Sequence, residues 1–263
     1  MKRITETSWF WGLYARCYDV LNVFPPYVAM ILEVIKTLDF KPRKAYRVLD
    51  AGCGTGNLEL ILAEVANGLD NFELKVEAID FSITMYQKAK HKLHRDDRFN
   101  FDFGNLLQPL NFKDASFDRI VSLNVIHALK NADMAFKEFG RILKPDGLIV
   151  LVILKKGYQM PLILKAAKHA GDPDEKWLKI KNVWQTLPKI YEAFNHLSFS
   201  ERLLATFQFI FVAISNKIIN DEVEGMELRD LRVMLRDAGL EIKKCELVYG
   251  GQDLLLVAEK INN

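Results

Sequence analysis

Residues 46–56, Tyr-Arg-Val-Leu-Asp-Ala-Gly-Cys-Gly-Thr-Gly, constrain the fold of this chain more than any other stretch. A short apolar strand, Tyr46 to Leu49, ends in Asp50. Gly52, Gly54 and Gly56 then alternate, and a helical pattern begins at Asn57. Strand, tight glycine turn and helix N-terminus form the framework with which α/β proteins hold a nucleotide-like ligand. Glycine lets the backbone turn sharply and lets a ligand approach where a Cβ would collide. A dinucleotide fingerprint spaces its glycines G-x-G-x-x-G. Here the third glycine comes one residue early, and Asn57 fills the slot that the longer motif needs.

Periodicity places further elements around this loop. The N-terminal region reads as two helices broken at Pro25-Pro26, the second from Val28 to Leu38 with Ile31, Ile35 and Leu38 at helical spacing. A helix from Asn57 to Ala66 follows the glycines. Val76–Asp80 is a second buried strand ending in an acid, residues 83–93 are helical with Ser82 placed to cap them, and Phe99–Phe103 is a third strand. Arg119–Asn124 is a fourth strand, Ala132–Leu143 a helix, Lys144-Pro145-Asp146-Gly147 a turn, and Leu148–Leu154 a fully apolar fifth strand. Strands that alternate with helices and read as continuous apolar runs predict a parallel sheet covered on both faces.

The alternation stops at Lys155. Residues 157–225 are largely helical in pattern, after which a helix at Leu228–Ala238 and strands at Glu241–Tyr249 and Leu254–Glu259 complete the chain, the last two joined across Gly250-Gly251 as a hairpin. The expected fold is therefore a Rossmann-like, seven-stranded, mostly parallel α/β sheet with helices on both faces. Its expected parts are an N-terminal helical lid (1–42), a ligand-binding core (43–156), a helical cap inserted after strand five (157–225) and a C-terminal completion of the core (226–263).

Composition narrows the partners. The formal net charge is +2 with lysines scattered along 263 residues, so no basic stripe points to nucleic acid. Cys17, Cys53 and Cys245 have neither metal-ligand nor disulfide spacing, which predicts no metal site and a reducing, cytoplasmic setting. Residues 1–20 have no uninterrupted apolar core and no small-residue cleavage site. Leu203–Ile214 is strongly apolar but only 12 residues long and interrupted by Gln208, against about 20 residues for a spanning helix. A buried or substrate-facing helix is the first reading of it, and peripheral membrane contact the alternative.

Val-Leu-Asp-Ala-Gly-Cys-Gly-Thr-Gly resembles the first motif of class I S-adenosylmethionine (SAM)-dependent methyltransferases, D/E-x-G-x-G-x-G. Ala-Ile-Asp-Phe-Ser-Ile-Thr-Met (78–85) is similar to their D-x-S-x-x-M pattern, and residues 138–154 resemble the helix–turn–strand signature of the ubiquinone/menaquinone C-methyltransferase group. Tyr14-Ala-Arg-Cys-Tyr18-Asp19 is a shorter match to that group, whose N-terminal helices close over the cofactor. The resemblance covers about residues 40–155, and 226–260 more loosely. It implies SAM as cofactor. The methionine end would lie on the loop of Asp50, Gly52, Cys53, Gly54 and Gly56, with Tyr18 above it. Asp80 would accept both ribose hydroxyls and Phe81 would pack on the adenine. Asn105, where the family commonly has Asp, would accept from the adenine amino group, and the N–H of Leu106 would make the other adenine contact. Asn124, Val125, Ile126 and His127 would lie beside the sulfonium and the methyl acceptor.

Each residue also has a plainer reading. Acids at strand ends often serve as caps, and His127 is either a general base or a structural histidine. Trp9-Phe10-Trp11 either lines an aromatic acceptor pocket or fixes the lid by packing. The expected activity is methyl transfer to oxygen or carbon of a small, fairly hydrophobic acceptor. The alternatives are transfer to nitrogen or sulfur, and a non-catalytic SAM-binding or regulatory subunit. Oligomeric state is not legible.

Overall fold

The computed structural model describes residues 8–68, 72–156 and 226–261, together with Gln208, Phe211, Val212 and Ser215. Its elements are α1 (Ser8–Tyr18), a 3-10 turn (Asp19–Val23), α2 (Pro25–Thr37), β1 (Ala45–Ala51), α3 (Asn57–Asn67), β2 (Glu73–Asp80), α4 (Ile83–Lys92), β3 (Phe99–Phe103) and β4 (Phe117–Leu123). A 3-10 turn (Ile126–Ala128), α5 (Ala132–Ile142) and β5 (Leu143–Leu154) follow. A C-terminal helix, α6 (Leu228–Asp237), β6 (Leu240–Val248) and β7 (Asp253–Lys260) end the described chain.

One seven-stranded sheet runs β3-β2-β1-β4-β5-β7-β6. The first five strands are parallel, while β7 runs antiparallel to both β5 and β6. The carboxyl ends of β1, β2, β3, β4 and β5 therefore share one edge, and the reversal of β7 brings its first residue, Asp253, to that same edge, opposite Leu154. Crevices outside the carboxyl ends of such strands are where α/β sheets bind ligands.

Side chains alternate across a strand, and this sorts the core into two layers. Val48, Val121, Val150, Val152, Leu255 and Val257 face one side and pack with α2, α3 and α4. Leu49, Ile120, Ile149, Leu151, Ile153 and Leu256 face the other and pack with α5 and α6. On this second side Gly140 of α5 lies against α6, where a Cβ would come within 2.2 Å of the Ala238 carbonyl oxygen.

Two local expectations change. Pro25 and Pro26 do not separate the N-terminal helices; they open α2, where a missing N–H costs nothing, and Phe24 with extended backbone makes the break. Lys144-Pro145-Asp146-Gly147 is not a turn ahead of the fifth strand but an irregular part of it. Pairing steps from Phe117↔Leu143 to Arg119↔Leu148, so β5 carries extra residues in a bulge.

The proposed cap (157–225) lies outside the described residues apart from the four named. Lys155 and Met226 form a parallel bridge, so the chain leaves and rejoins the core at one place. Of the apolar run 203–214, Val212 is buried and Phe211 packs on the core layer shared with the N-terminal helices. Among the described residues no single helix is long and apolar enough to cross a membrane. The N-terminal helices pass by length and composition only as a pair bent by 83°, and α2 turns Tyr27, Val28, Met30, Ile31, Val34 and Ile35 into the core.

Candidate cofactor and acceptor site

A cavity of about 400 Å³ opens along the carboxyl edge of the sheet, within the range of small-molecule sites. The glycine loop forms part of its floor. Gly52 and Cys53 N–H both donate to the carbonyl of Ile79, at 2.8 and 3.0 Å, which staples the loop to the end of β2. Gly52 has φ +96°, and a Cβ there would meet Val125 Cγ2 at 2.3 Å. Gly54 has φ +56°, and among the described residues the one atom within 4 Å of its absent Cβ is Tyr18 Cε1 at 3.8 Å. A cradle that a side chain would fill is what close approach by a ligand requires.

Asp80 links the loop to the next unit. Its Oδ2 accepts from Gly54 N–H at 2.9 Å and its Oδ1 from Ser82 N–H at 2.8 Å. Burial pushes its pKa up to about 6, against the pull of those two N–H groups. Each carboxylate oxygen keeps a second lone pair, so two hydroxyls can still be accepted. Asn105 Oδ1 accepts from Leu107 N–H at 3.0 Å, an Asx turn that orients the loop after β3 and likewise leaves one lone pair.

The opposite wall is aromatic. Trp11, Tyr14, Tyr18, Tyr27 and Tyr249 follow one another with centroids 5.1–6.3 Å apart, and Trp11 stands edge-on to Phe81 at 6.0 Å. The Tyr18 and Tyr27 hydroxyls lie 3.3 Å apart, and burial raises the Tyr18 pKa to about 12. Polar contacts hold this wall over the loop. Asp19 accepts from Thr55 at 2.5 Å and pairs with Lys92 at 2.6 Å and Lys88 at 2.8 Å, while Asn22 donates to Asn57 at 2.8 Å. Burial pulls the Asp19 pKa upward, but Lys92 and Lys88 hold it below the ordinary carboxylate value.

The far end of the cavity contains Leu123, Asn124, Val125, His127, Leu154, Tyr249 and Asp253. Asn124 adopts φ +56°, left-handed backbone that few side chains other than Asn tolerate. It aims Nδ2 at Asp253 Oδ2, 3.0 Å away. The Asp253 side chain is buried, and its Oδ1 and the Oδ1 of Asn124 have no hydrogen-bond partner among the described residues. Burial raises the Asp253 pKa to about 7, although Asn124 pulls it down. His127 Nδ1 accepts from Leu154 N–H at 3.3 Å, and burial lowers its pKa to about 4. The ring is thus a neutral imidazole with its proton on Nε2, a donor rather than a base at neutral pH.

The structure gathers most of the residues singled out from sequence. Tyr18, Gly52, Gly54, Asp80, Phe81, Asn105, Leu106, Asn124 and His127 all line the cavity. Asp50, Cys53 and Gly56 sit behind it. Gly56 packs on α4, where a Cβ would lie 2.9 Å from Ala89 Cβ. Asp50 is buried beneath the loop, and both burial and the adjoining Glu59 carboxyl raise its pKa, so the pair retains a proton. Of the aromatic triplet, Trp11 faces the cavity beside Phe81, Phe10 is buried and Trp9 is exposed. Sequence reasoning missed Asp253, Tyr249 and Glu59. A lone acid opening a late strand carries no motif, and an acid in a helix's first turn reads as a cap.

Residues 49–151 match the family model described as a methyltransferase domain. The chain is 30% identical over 137 residues to a probable polyketide synthase 41 of Dictyostelium discoideum, covering 47% of this chain and 5% of that protein. It is 32% identical over 130 residues to phosphoethanolamine N-methyltransferase 2 of Caenorhabditis elegans (48% and 28%). Against demethylmenaquinone methyltransferase of Staphylococcus aureus it is 30% identical over 136 residues (51% and 54%). The chain thus spans between a twentieth and about half of the length of these relatives. Among solved structures, a chain from the complex between the Haloferax volcanii Trm112 methyltransferase activator and a methyltransferase superposes with TM-score 0.61 at 15% identity over 100% of both chains. A SAM-dependent methyltransferase from Aquifex aeolicus superposes with TM-score 0.55 at 16% identity, covering 91% and 92%.

Proposed function

We propose that this chain, whose core is a class I SAM-dependent methyltransferase domain, moves the methyl group of SAM to oxygen or carbon of a small, fairly hydrophobic acceptor. The observation that carries the reading is one continuous cavity joining a donor end to an apolar, aromatic-walled end. The donor end is Gly54, Asp80 and Asn105; the other end is Asn124, Leu154 and Tyr249. The family match ends at residue 151, before Leu154, Tyr249 and Asp253, and the relatives include a phosphoethanolamine N-methyltransferase and a demethylmenaquinone methyltransferase. The choice of acceptor therefore rests on the cavity.

SAM supplies an already activated methyl group, so the protein contributes positioning, desolvation and a proton acceptor. Gly54 leaves room for the cofactor's backbone-proximal atoms, and Asp80 offers its free lone pairs to the ribose hydroxyls. Phe81 and Leu106 give the adenine apolar surface. Tyr18 and Tyr27 close over the loop, excluding water from the reacting centre.

The test is conversion of radiolabelled SAM to labelled product across a panel of hydroxyl, carbon, amine and thiol acceptors. Transfer to hydroxyl or carbon acceptors with apolar bodies is the expected result. SAM binding without turnover on any class would refute the reading in favour of a non-catalytic SAM-binding subunit.

A further inference from the structure

Asp253 reaches the cavity by a route the glycine motif does not describe. The donor-end groups sit at the ends of β3, β2 and β1. β7 lies three strands beyond β1, across β4 and β5, about 14 Å along the edge at about 4.8 Å per strand. Only because β7 is antiparallel does its first side chain arrive at this edge at all. Asp253 is thus at the end of the cavity away from Asp80 and Asn105.

Its surroundings ask for a particular guest. Among the described residues, Asp253 Oδ1 and Asn124 Oδ1 are both buried acceptors without a donor, a condition that costs about 1–3 kcal/mol per group when nothing fills it. A molecule that donates a hydrogen bond to the Asp253 carboxylate relieves the charged member of the two. A carboxylate or phosphate would bring no donor and would place a second negative charge beside Asp253, with Asp80 also on the wall. The neighbouring surface of Leu123, Leu154, Tyr27 and Tyr249 suits an apolar or aromatic body.

We propose that Asp253, oriented by Asn124, is the proton acceptor for the methyl acceptor, and that the acceptor is a neutral molecule bearing a weakly acidic hydroxyl, a phenol or enol, on an apolar body. In the step, the hydroxyl oxygen forms its bond to the methyl carbon as the carbon–sulfur bond breaks and leaves its electron pair on sulfur. The O–H bond breaks and its proton passes to Asp253 Oδ1, turning the carboxylate into a carboxylic acid. Products are the methyl ether, the neutral thioether of the cofactor and the protonated side chain, so charge balances. The proton then leaves to solvent after the product has gone. A group titrating near neutrality suits this exchange.

This inference rests on the methyl-transfer reading and is tested so that the two can fail separately. Wild type, Asp253→Asn and Asn124→Gly are assayed with alkylphenols and hydroquinones, matched anilines and alkylamines, and matched carboxylic acids. Affinity for S-adenosylhomocysteine, and for the phenols in its presence, is measured by calorimetry. Asp253→Asn should lower kcat at least 100-fold on hydroxyl acceptors, remove the rise of kcat with pH near 7 and weaken phenol binding roughly tenfold. Affinity for S-adenosylhomocysteine should stay within threefold. Asn124→Gly keeps the left-handed backbone and should lose about tenfold in kcat. Turnover of hydroxyl acceptors that survives Asp253→Asn within threefold, an unchanged pH profile, or preference for amines or carboxylates would overturn the inference alone. An equal loss of S-adenosylhomocysteine affinity would make Asp253 structural and also overturn it. No turnover of any acceptor by wild type overturns the methyl-transfer reading and this inference with it.

Discussion

If Asp253 is held for function at the expense of stability, its removal should make the protein more robust, and by an amount that depends on pH. Its carboxyl titrates at about 7 in the folded chain against an ordinary 3.8. The folded state therefore holds this proton about a thousandfold more tightly, and each tenfold is worth about 1.4 kcal/mol. Above pH 7 both folded and unfolded chains carry the carboxylate, and burying it costs the full difference, about 4 kcal/mol. Between pH 4 and 7 the unfolded chain has lost the proton that the folded chain retains, so stability falls as pH rises. Below pH 4 both are protonated and the penalty vanishes. Asp253→Asn deletes this dependence while keeping the volume. Its new amide can donate to Asn124 Oδ1, which now lacks a partner, if the Asn124 side chain turns over. Urea unfolding of both chains should show the variant gaining about 3–4 kcal/mol on wild type between pH 4 and pH 8, and more stable outright at pH 8. Asp80 and Glu59, also raised by burial, are common to both chains and cancel. A parallel pair of stability–pH curves, or a variant less stable at pH 8, would show that the Asp253 charge is not buried at a cost.

Three further substitutions probe the donor end and the lid. Asp80→Ala should weaken SAM binding by about 2–3 kcal/mol by calorimetry with the circular dichroism spectrum retained; undiminished affinity would mean that the carboxylate does not face the ribose. Gly54→Val should abolish SAM binding, because its side chain would occupy the cradle, and should lower stability by at least about 1–2 kcal/mol because φ is +56°; wild-type affinity would refute the cradle. Asp19→Ala leaves Lys88, Lys92 and Thr55 without their shared acceptor. It should cost about 1–3 kcal/mol, less than a fully buried pair, and speed proteolysis between α1 and α2. Unaltered proteolysis would show that the aromatic wall is held by packing alone.

Most of the donor half was legible because its information is local. Gly52, Gly54 and Gly56 must take positive φ, and Asp80 must end a buried strand, so residue type and spacing identify them without knowledge of what lies across the sheet. The alternation of strands and helices made the mostly parallel sheet legible for the same reason. Less legible were the features set by packing. Pro25 looks like a break in a helix pattern but serves as a helix start, because only the first turn tolerates its missing N–H. Lys144–Gly147 has turn composition yet bulges out within the strand, since β4 pairs with β5 on both sides of it. His127 has the ordinary chemistry of a base, and only the N–H of Leu154 and its burial turn it into a donor.

Asp253 is the extreme of this second class. In sequence it is one acid between Gly250-Gly251-Gln252 and an apolar strand, and the bland expectation is a hairpin residue facing solvent. Three independent facts of the fold reverse that expectation. The hairpin turns β7 against the direction of its neighbours, which carries its first residue to the edge where the parallel strands end. Asn124, over a hundred residues earlier, is bent into the left-handed region and donates to it. The aromatic wall from the N-terminal helices then covers the place from above, with Tyr27 meeting Tyr249 edge-on at 6.3 Å. No one of these segments specifies a site, and a change in any of them would move it. The donor loop can thus be common to enzymes with very different acceptors, because the acceptor end is assembled from parts of the chain that share no motif with it.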